Sequence, residues 1–463
     1  VGLFLDEFGA DKMPWIYIAS AFIGSGLGFV YSWLQKILPL RRVIVVVLAM
    51  MSVPLFLFRF GIGYENTKIA GISIAFITIF LMWLWVEACY VLNDLNTSIT
   101  SNQLFNIREI KRTYPLVSSG YLVAGVVSGF SLPVLLHVVG LKNVTLISGL
   151  MVATGSVLLY YLTEKYRQAF PETARWTDDD DEDDDQQEFT ARKVTGPLQK
   201  YAVPLVSFFV LAEVLYVLID FQFYSQLEYQ NPGDGASWIA SFLGIYEGIQ
   251  GLFQVSTQWF ASSRLVERIG VFVTAMILPA GIAILGVLTL GVSLGQLVPV
   301  FLGLILLRFL DDLLHYTLLE TISPVLFQPI PDNIRSGIQT LVNGVGEPLS
   351  CGVTGFGILF LLWVTNYILP HQSENQFHDQ QSLVFIAVIV LLALVWLFVV
   401  WLIRSQYVGL LVKSAERGRL GVTDVDLKAL KRAVVETLEK PGGEDEKRAC
   451  IELLTQIDPK NVG

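Results

Sequence analysis

Charge is scarce in this chain. Asp, Glu, Lys and Arg make up 16% of its 463 residues, where a soluble protein carries about a quarter. Histidine and cysteine are scarcer, with 4 and 3 copies. Cys89, Cys351 and Cys450 are too few and too scattered for a disulfide framework or a metal cluster. His137, His315, His371 and His378 are dispersed along the chain. There is no glycine-rich phosphate loop ending in lysine and no nucleophile elbow. These absences point away from an enzyme. No cofactor, no metal and no nucleic-acid partner is expected.

What the chain has in excess is apolar length. The hydrophobic fraction is 53% and the mean hydropathy is +0.58. The apolar residues come in runs of roughly 20, long enough to cross the hydrocarbon core as helices. Eleven spans are predicted. Five precede a polar stretch: Pro14–Leu34, Val43–Ile62, Ile69–Leu92, Tyr114–Val139 and Val144–Leu162. Six follow it: Val203–Tyr224, Ser237–Phe260, Val271–Leu290, Leu297–Leu319, Gly337–Val364 and Leu383–Ile403. The fold class is therefore all-α and polytopic, with the lipid bilayer as its surroundings.

The polar stretch runs from Glu164 to Lys200, and Asp178 to Asp185 is eight consecutive acids. Such a block repels itself and stays solvated. It carries much of the net charge of −10, so that charge says little about function. Basic residues fix the orientation. Lys36, Arg41, Arg42, Arg108, Lys111, Arg112, Lys165, Arg167, Arg264, Arg268, Arg335, Arg404 and Lys413 fall in every second loop, against Lys12, Lys68 and Lys142 in the others. The basic side faces the cytoplasm. This puts the acidic stretch and the C-terminus inside and the protein in a plasma (inner) membrane.

The two groups of spans echo each other. Asn106-Ile107-Arg108 recurs as Asn333-Ile334-Arg335, an offset of 227, and Ser128-Gly129-Phe130 as Thr354-Gly355-Phe356, an offset of 226. Half-chain repeats are a mark of transporters. Shifting Val203–Tyr224 back by this offset places its mate before Val1. The first half is thus expected to own a sixth span that the sequence lacks. Residues 1–165 read as the N-terminal transmembrane half, 166–200 as an acidic cytoplasmic linker, and 201–405 as the C-terminal half. Small residues mark close helix contacts: Gly24, Gly26, Gly28, Gly120, Ala124, Gly125, Gly129, Gly244, Gly248, Gly352 and Gly355.

Residues 406–463 form a cytoplasmic connector and a helix pair. Leu427, Leu430, Val434 and Leu438 make one apolar stripe, and Ala449, Leu453, Leu454 and Ile457 a second, about the turn Pro441-Gly442-Gly443. A pair with two apolar faces resembles the first repeat of an α-solenoid. The other reading is a hairpin docked on the membrane domain.

Charges inside spans are the candidate site residues, because an ionised group costs about 2.5–3.5 kcal/mol to insert and usually faces a cavity or partner. They are Glu87, Glu213, Asp220, Glu247, Arg308, Asp311, Asp312 and Glu347, with Asn343 one turn before Glu347. Glu213 and Asp220 are seven apart and share a helix face. Arg308 and Asp312 stand at i,i+4 and can pair. That pair either lines a cavity or only neutralises itself.

The segment Ser101-Asn102-Gln103 through Lys111-Arg112-Thr113-Tyr114-Pro115-Leu116, with the Gly/Ala-rich span after it, resembles the nucleotide translocases. These are the ATP/ADP carriers of plastids and intracellular bacteria, a branch of the major facilitator superfamily. Pro14 with Gly28-Phe29, and Ile219-Asp220 through Pro232, resemble further family spans. The resemblance covers both halves to about Arg419 and implies two six-helix bundles around a central cavity. The C-terminus is similar to bacterial relatives fused to HEAT repeats. Where the family has a lysine for nucleotide, this chain has Tyr17; family lysines in the seventh span fall on Tyr224, Gln226 and Glu228, and basic positions in the eleventh on Pro348 and Cys351. Nucleotide carriage needs several cations, and Arg308 with Arg59 is nearly all the spans offer.

The expected function is a secondary transporter of ATP/ADP-antiporter-like fold, moving a small-molecule solute by alternating access. The resemblance leaves a nucleotide as one such solute. Its substrate-binding residues are expected to be Tyr17, Glu87, Asp220, Glu247, Arg308, Asp312, Asn343 and Glu347. The alternative is a transporter-derived membrane sensor that signals through a cytoplasmic HEAT module. In either case the helical C-terminus offers a surface for a cytoplasmic partner.

Overall fold

The structure, a computed structural model, describes residues 1–64, 68–69, 72–104, 107–167, 197–230, 235–260, 265, 268–295, 299–327, 330, 338, 342, 346–369 and 374–416. The acidic run, Asn106, the Asn333–Arg335 triplet, Asn343 and the helix pair expected after residue 416 lie outside the described residues.

Helices stand at all eleven expected span positions. In the first half these are α2 (Met13–Ile37), α3 (Leu40–Ile62), α4 (Ile74–Leu104), α5 (Ile107–Val139) and α6 (Leu141–Lys165). In the second they are α7 (Pro197–Tyr229), α8 (Gly235–Phe260), α9 (Val271–Leu294), α10 (Val300–Leu314), α12 (Glu347–Ile368) and α13 (Glu374–Glu416). Among the described residues, eight helices are long and apolar enough to cross a membrane. The three that fall outside that set are α2, α8 and α10. Of these, α8 carries Glu247, Gln250 and Gln254, and α10 has only 15 residues before the chain changes its winding.

Three details differ from the sequence reading. A short helix α1 (Gly2–Phe8) precedes the first span. The expected start of the third span, Ile69, is instead in a two-residue antiparallel hairpin, β1 (Lys68–Ile69) with β2 (Ile72–Ser73). The span predicted as Leu297–Leu319 is α10, then a π-helical turn His315–Leu319, then α11 (Glu320–Leu326). Pro14 lies in the first turn of α2, where its missing N–H has no partner to lose. Gly140 (φ 82) and Gly270 (φ 85) start α6 and α9 from a left-handed backbone.

The described helices fall into two compact units. The first holds α1 to α6, α7 from Phe221, α8 to Val255 and α12 from Cys351 to Tyr367. There α3 packs chiefly on α6 and α4, and α2 on α4. One polar knot ties three of these helices: Tyr31 Oη donates to Asn96 Oδ1 (2.8 Å), and Asn96 Nδ2 donates to the Ile44 carbonyl (3.1 Å). At the start of the unit, Phe4 lies edge-on to Trp83 and stacks on Phe8. The Ala10 N–H donates to Glu228 Oε2 at 2.6 Å.

The second unit holds α7 to Asp220, the end of α8, α9 to α11, the first turn of α12 with its last residue Ile368, and α13. Here α9 packs chiefly on α13 and α10. By position in the repeat these are the counterparts of α3, α6 and α4, so the echo seen in sequence extends to packing. Leu304, Ile386, Val300 and Val390 form one buried cluster between α10 and α13. Tyr201 Oη is buried and donates to the Leu326 carbonyl. Large apolar side chains such as Leu391, Leu394, Phe398 and Trp401 stay exposed along α13, which suits helices whose solvent is lipid tail.

Candidate functional site

The second unit concentrates its charge at one place. The face of α10 one turn from its end carries Arg308, Asp311 and Asp312, which are 5%, 2% and 4% exposed. The Arg308 guanidinium donates through Nη1 to Asp220 Oδ1 of α7. Its Nε lies 3.4 Å from Asp312 Oδ2, the i,i+4 neighbour. Asp311 lies within electrostatic reach of Arg308, Asp312 and Asp220, and its Oδ1 has no hydrogen-bond partner. One cation therefore faces three carboxyl groups in apolar surroundings.

Aromatic and imidazole groups close over this cluster. Tyr216 is one turn before Asp220 on α7, and its ring centroid is 5.3 Å from His315 and 6.5 Å from Tyr316. The Tyr216 and Tyr316 hydroxyls are 3.4 Å apart. His315 Nδ1 is buried without a hydrogen-bond partner. His315 opens the π-helical turn. Such turns are rare, occur often at functional sites, and here directly follow the charged face.

A buried ion pair by itself is weak evidence of either stability or function. This cluster is more than a pair. Arg308 can balance only one of the three carboxylates, so the cluster has two surplus acids, and Asp311 is the one that makes no ion pair with Arg308. Protons, a metal cation or a basic group on a solute would offset that surplus.

The other predicted residues lie on other helices or other turns. Tyr17 is buried in α2, 7% exposed. Glu87 is half-buried in α4 and accepts from Trp83 Nε1 at 3.1 Å. Glu247 is exposed on α8, and Glu347 is exposed in the first turn of α12. Glu213 is half-buried on α7. Asn343 is outside the described residues. Of the predicted set, the structure brings Asp220, Arg308 and Asp312 together in the second unit. It places Tyr17, Glu87 and Glu247 in the first.

Sequence reasoning grouped His315 with Arg308, Asp311 and Asp312 but missed Tyr216 and Tyr316 beside it. It also missed the buried Gln222 on α7 and Gln250 and Gln254 on α8, and it noted the buried Gln226 only as standing at a family lysine position. Their i,i+4 spacing within apolar helices was the available signal. Gln222 Oε1 and Gln250 Oε1 are buried without a hydrogen-bond partner.

No protein-family model matches the chain, and no curated protein sequence matches it either. Solved structures do. The inward-open conformation of the xylose transporter XylE from E. coli matches with a TM-score of 0.51 at 12% identity. The match covers 84% of this chain and 86% of that one. Likeness at this identity speaks for the fold alone. The eleven helices, their internal repeat and this match together give the chain the major facilitator fold, an all-α, polytopic membrane architecture.

Proposed function

We propose that this protein is a secondary-active transporter of the major facilitator type, carrying a small solute through the membrane by alternating access. The observation that carries the reading is Arg308, buried in the second unit and held between Asp220 of another span and its own neighbour Asp312. Burying such a group is costly unless it is paired or lines a pathway. A carrier fold with more buried acids than cations in one cluster suits a cation- or proton-linked cycle. Asp311 is the group to load and release the charge, with Asp220, Arg308 and Asp312 fixing its surroundings.

The nucleotide-translocase resemblance gives a finer version, exchange of ATP for ADP. The charge balance of the cluster weighs against it, because a triphosphate needs surplus cations and this cluster has surplus acids. We place the basic loops, the acidic linker and the C-terminus in the cytoplasm of a bacterial cell, on the charge bias of the loops. The domain limits 1–165, 166–200, 201–405 and 406–463 belong to the same proposal, as do a HEAT-like C-terminus and a partner bound by it.

Flux into proteoliposomes of purified protein tests the reading directly. Labelled ATP against internal ADP, labelled amines and labelled organic anions are offered with and without a pH gradient. Uptake of one class that is lost in Asp311→Asn supports the proposal. No flux for any class, in vesicles shown to be sealed and correctly filled with folded protein, overturns it.

A further inference from the structure

Glu247 occupies an unusual position on its helix. At 100° per residue, Ala240, Leu243, Gly244, Gln250, Gly251 and Gln254 share its side of α8, and all six are buried. Ile245, Ile249, Leu252 and Phe253 cover the opposite side and are exposed. Glu247 sits in the middle of the buried side and is itself exposed. An exposed carboxylate there does not face lipid.

Tyr90 of α4 lies within its electrostatic reach. Trp83, Glu87 and Tyr90 follow one another at i, i+4 and i+7 on α4, so they share a face. Glu87 and Glu247 both act electrostatically on the Tyr90 hydroxyl, which is hydrogen-bonded to Tyr121 of α5. The Tyr90 and Tyr121 rings are 6.5 Å apart and nearly perpendicular, at 76°. Both rings stay open, 54% and 52% exposed. The helices that carry Tyr121 and Glu247 are locked together just beyond: a Cβ on Gly251 would meet Val126 Cγ2 at 2.9 Å, and the Gly248 backbone lies under the Phe130 ring. Gln250 Oε1, an acceptor from the same buried side of α8 as Glu247, is without a hydrogen-bond partner.

Two carboxylates, two open aromatic rings at right angles and an unused amide acceptor make a distinct chemistry. Carboxylates supply charge, and tyrosine faces attract a cation within about 6 Å of the ring. A compact, strongly hydrated metal ion would prefer a shell of oxygens only. A lipophilic or alkylated nitrogen or phosphorus cation uses both the acids and the rings. We infer that Glu87, Glu247, Tyr90 and Tyr121 form a binding site for an organic cation. This deepens the transporter reading by giving its solute a class, and it rests on that reading only for transport, not for binding.

Equilibrium binding of radiolabelled tetraphenylphosphonium to the purified full chain in detergent tests the inference. Saturable binding is expected, displaced by tetraethylammonium and not by the isosteric anion tetraphenylborate. Glu87→Gln with Glu247→Gln should weaken it by roughly tenfold or more, while Tyr90→Phe keeps it and Tyr90→Ala weakens it. Absence of saturable binding, equal displacement by tetraphenylborate, or undiminished binding in the double variant each overturns it. Displacement on the unaltered protein decides the matter even where a variant fails to fold. Phosphonium binding without flux of any solute keeps this site and removes the transporter reading; flux of an anion or nucleotide without phosphonium binding does the reverse.

Discussion

Gly129 and Gly355 stand 226 residues apart and do the same thing. A Cβ on Gly129 would land 2.7 Å from the Gly244 carbonyl oxygen and 2.5 Å from the Gly248 nitrogen of α8. A Cβ on Gly355 would land 2.8 Å from the Pro14 carbonyl oxygen and 3.3 Å from the Ile18 nitrogen of α2. Each glycine lets its helix rest on one carbonyl-to-amide step of a facing helix. The facing helices α2 and α8 are themselves partners in the repeat. Both crossings belong to the first unit.

Gly129→Ala should therefore destabilise the protein by about 1–3 kcal/mol, the usual cost of overpacking a tight contact. Gly125→Ala, one turn away, meets nothing within 4 Å, and should be neutral or slightly stabilising through helix propensity. Thermal unfolding of the two variants in the same detergent compares them. Equal losses would mean that the two helices do not touch at Gly129.

Arg308→Gln leaves Asp220 and Asp312 buried without their counter-charge, and breaking such a pair from one side costs about 3–5 kcal/mol. Adding Asp220→Asn to Arg308→Gln should recover part of the loss. A thermal-stability cycle over the two single variants and the double one reads the coupling, expected at about 0.5–3 kcal/mol. Additive losses would deny the interhelical pair.

Asn96 is the hinge of the knot between α2, α3 and α4. Asn96→Ala removes the acceptor of Tyr31 and the donor to Ile44. Hydrogen bonds between membrane helices are worth about 0.6 kcal/mol on average and up to about 1.7, so a drop of about 1–2 kcal/mol is expected. Tyr31→Phe should lose less, because the Ile44 bond survives. Unfolding midpoints in detergent rank the two.

Glu228 takes the Ala10 N–H at the end of α7, and Gly9 beside it has φ 74. Glu228→Ala should loosen the stretch from Gly2 to Lys12, since a hydrogen bond to a charged group contributes about 1.5–3 kcal/mol. Amide hydrogen exchange over residues 2–12 should quicken while that of α3 stays unchanged. Unaltered exchange in both would show that the aromatic contacts of Phe4 and Phe8 hold the segment alone.

The order of the spans and the Arg308–Asp312 pair were legible in the sequence because both follow from local periodicity. The Arg308–Asp220 contact was not, since it joins spans 88 residues apart and neither helix records which partner it meets. Glycines show the same limit. Gly120, Gly125 and Gly129 read alike as packing residues, yet only Gly129 has a neighbour where its Cβ would stand. The short α1 was missed because seven residues are too few for a period. Glu247 could be recognised as a charge in a span, but its direction depended on the burial of six neighbours.

The π-helical turn at His315–Leu319 has a geometric consequence for α11. One additional residue in a turn offsets all later side chains by about 100°. The turn therefore carries Glu320 to about the azimuth that Leu319 would have in a regular helix. Excising a single residue there would straighten α10 and α11 into one regular rod and leave the α11 side chains at the azimuth they already have, because the wide turn has absorbed the extra residue.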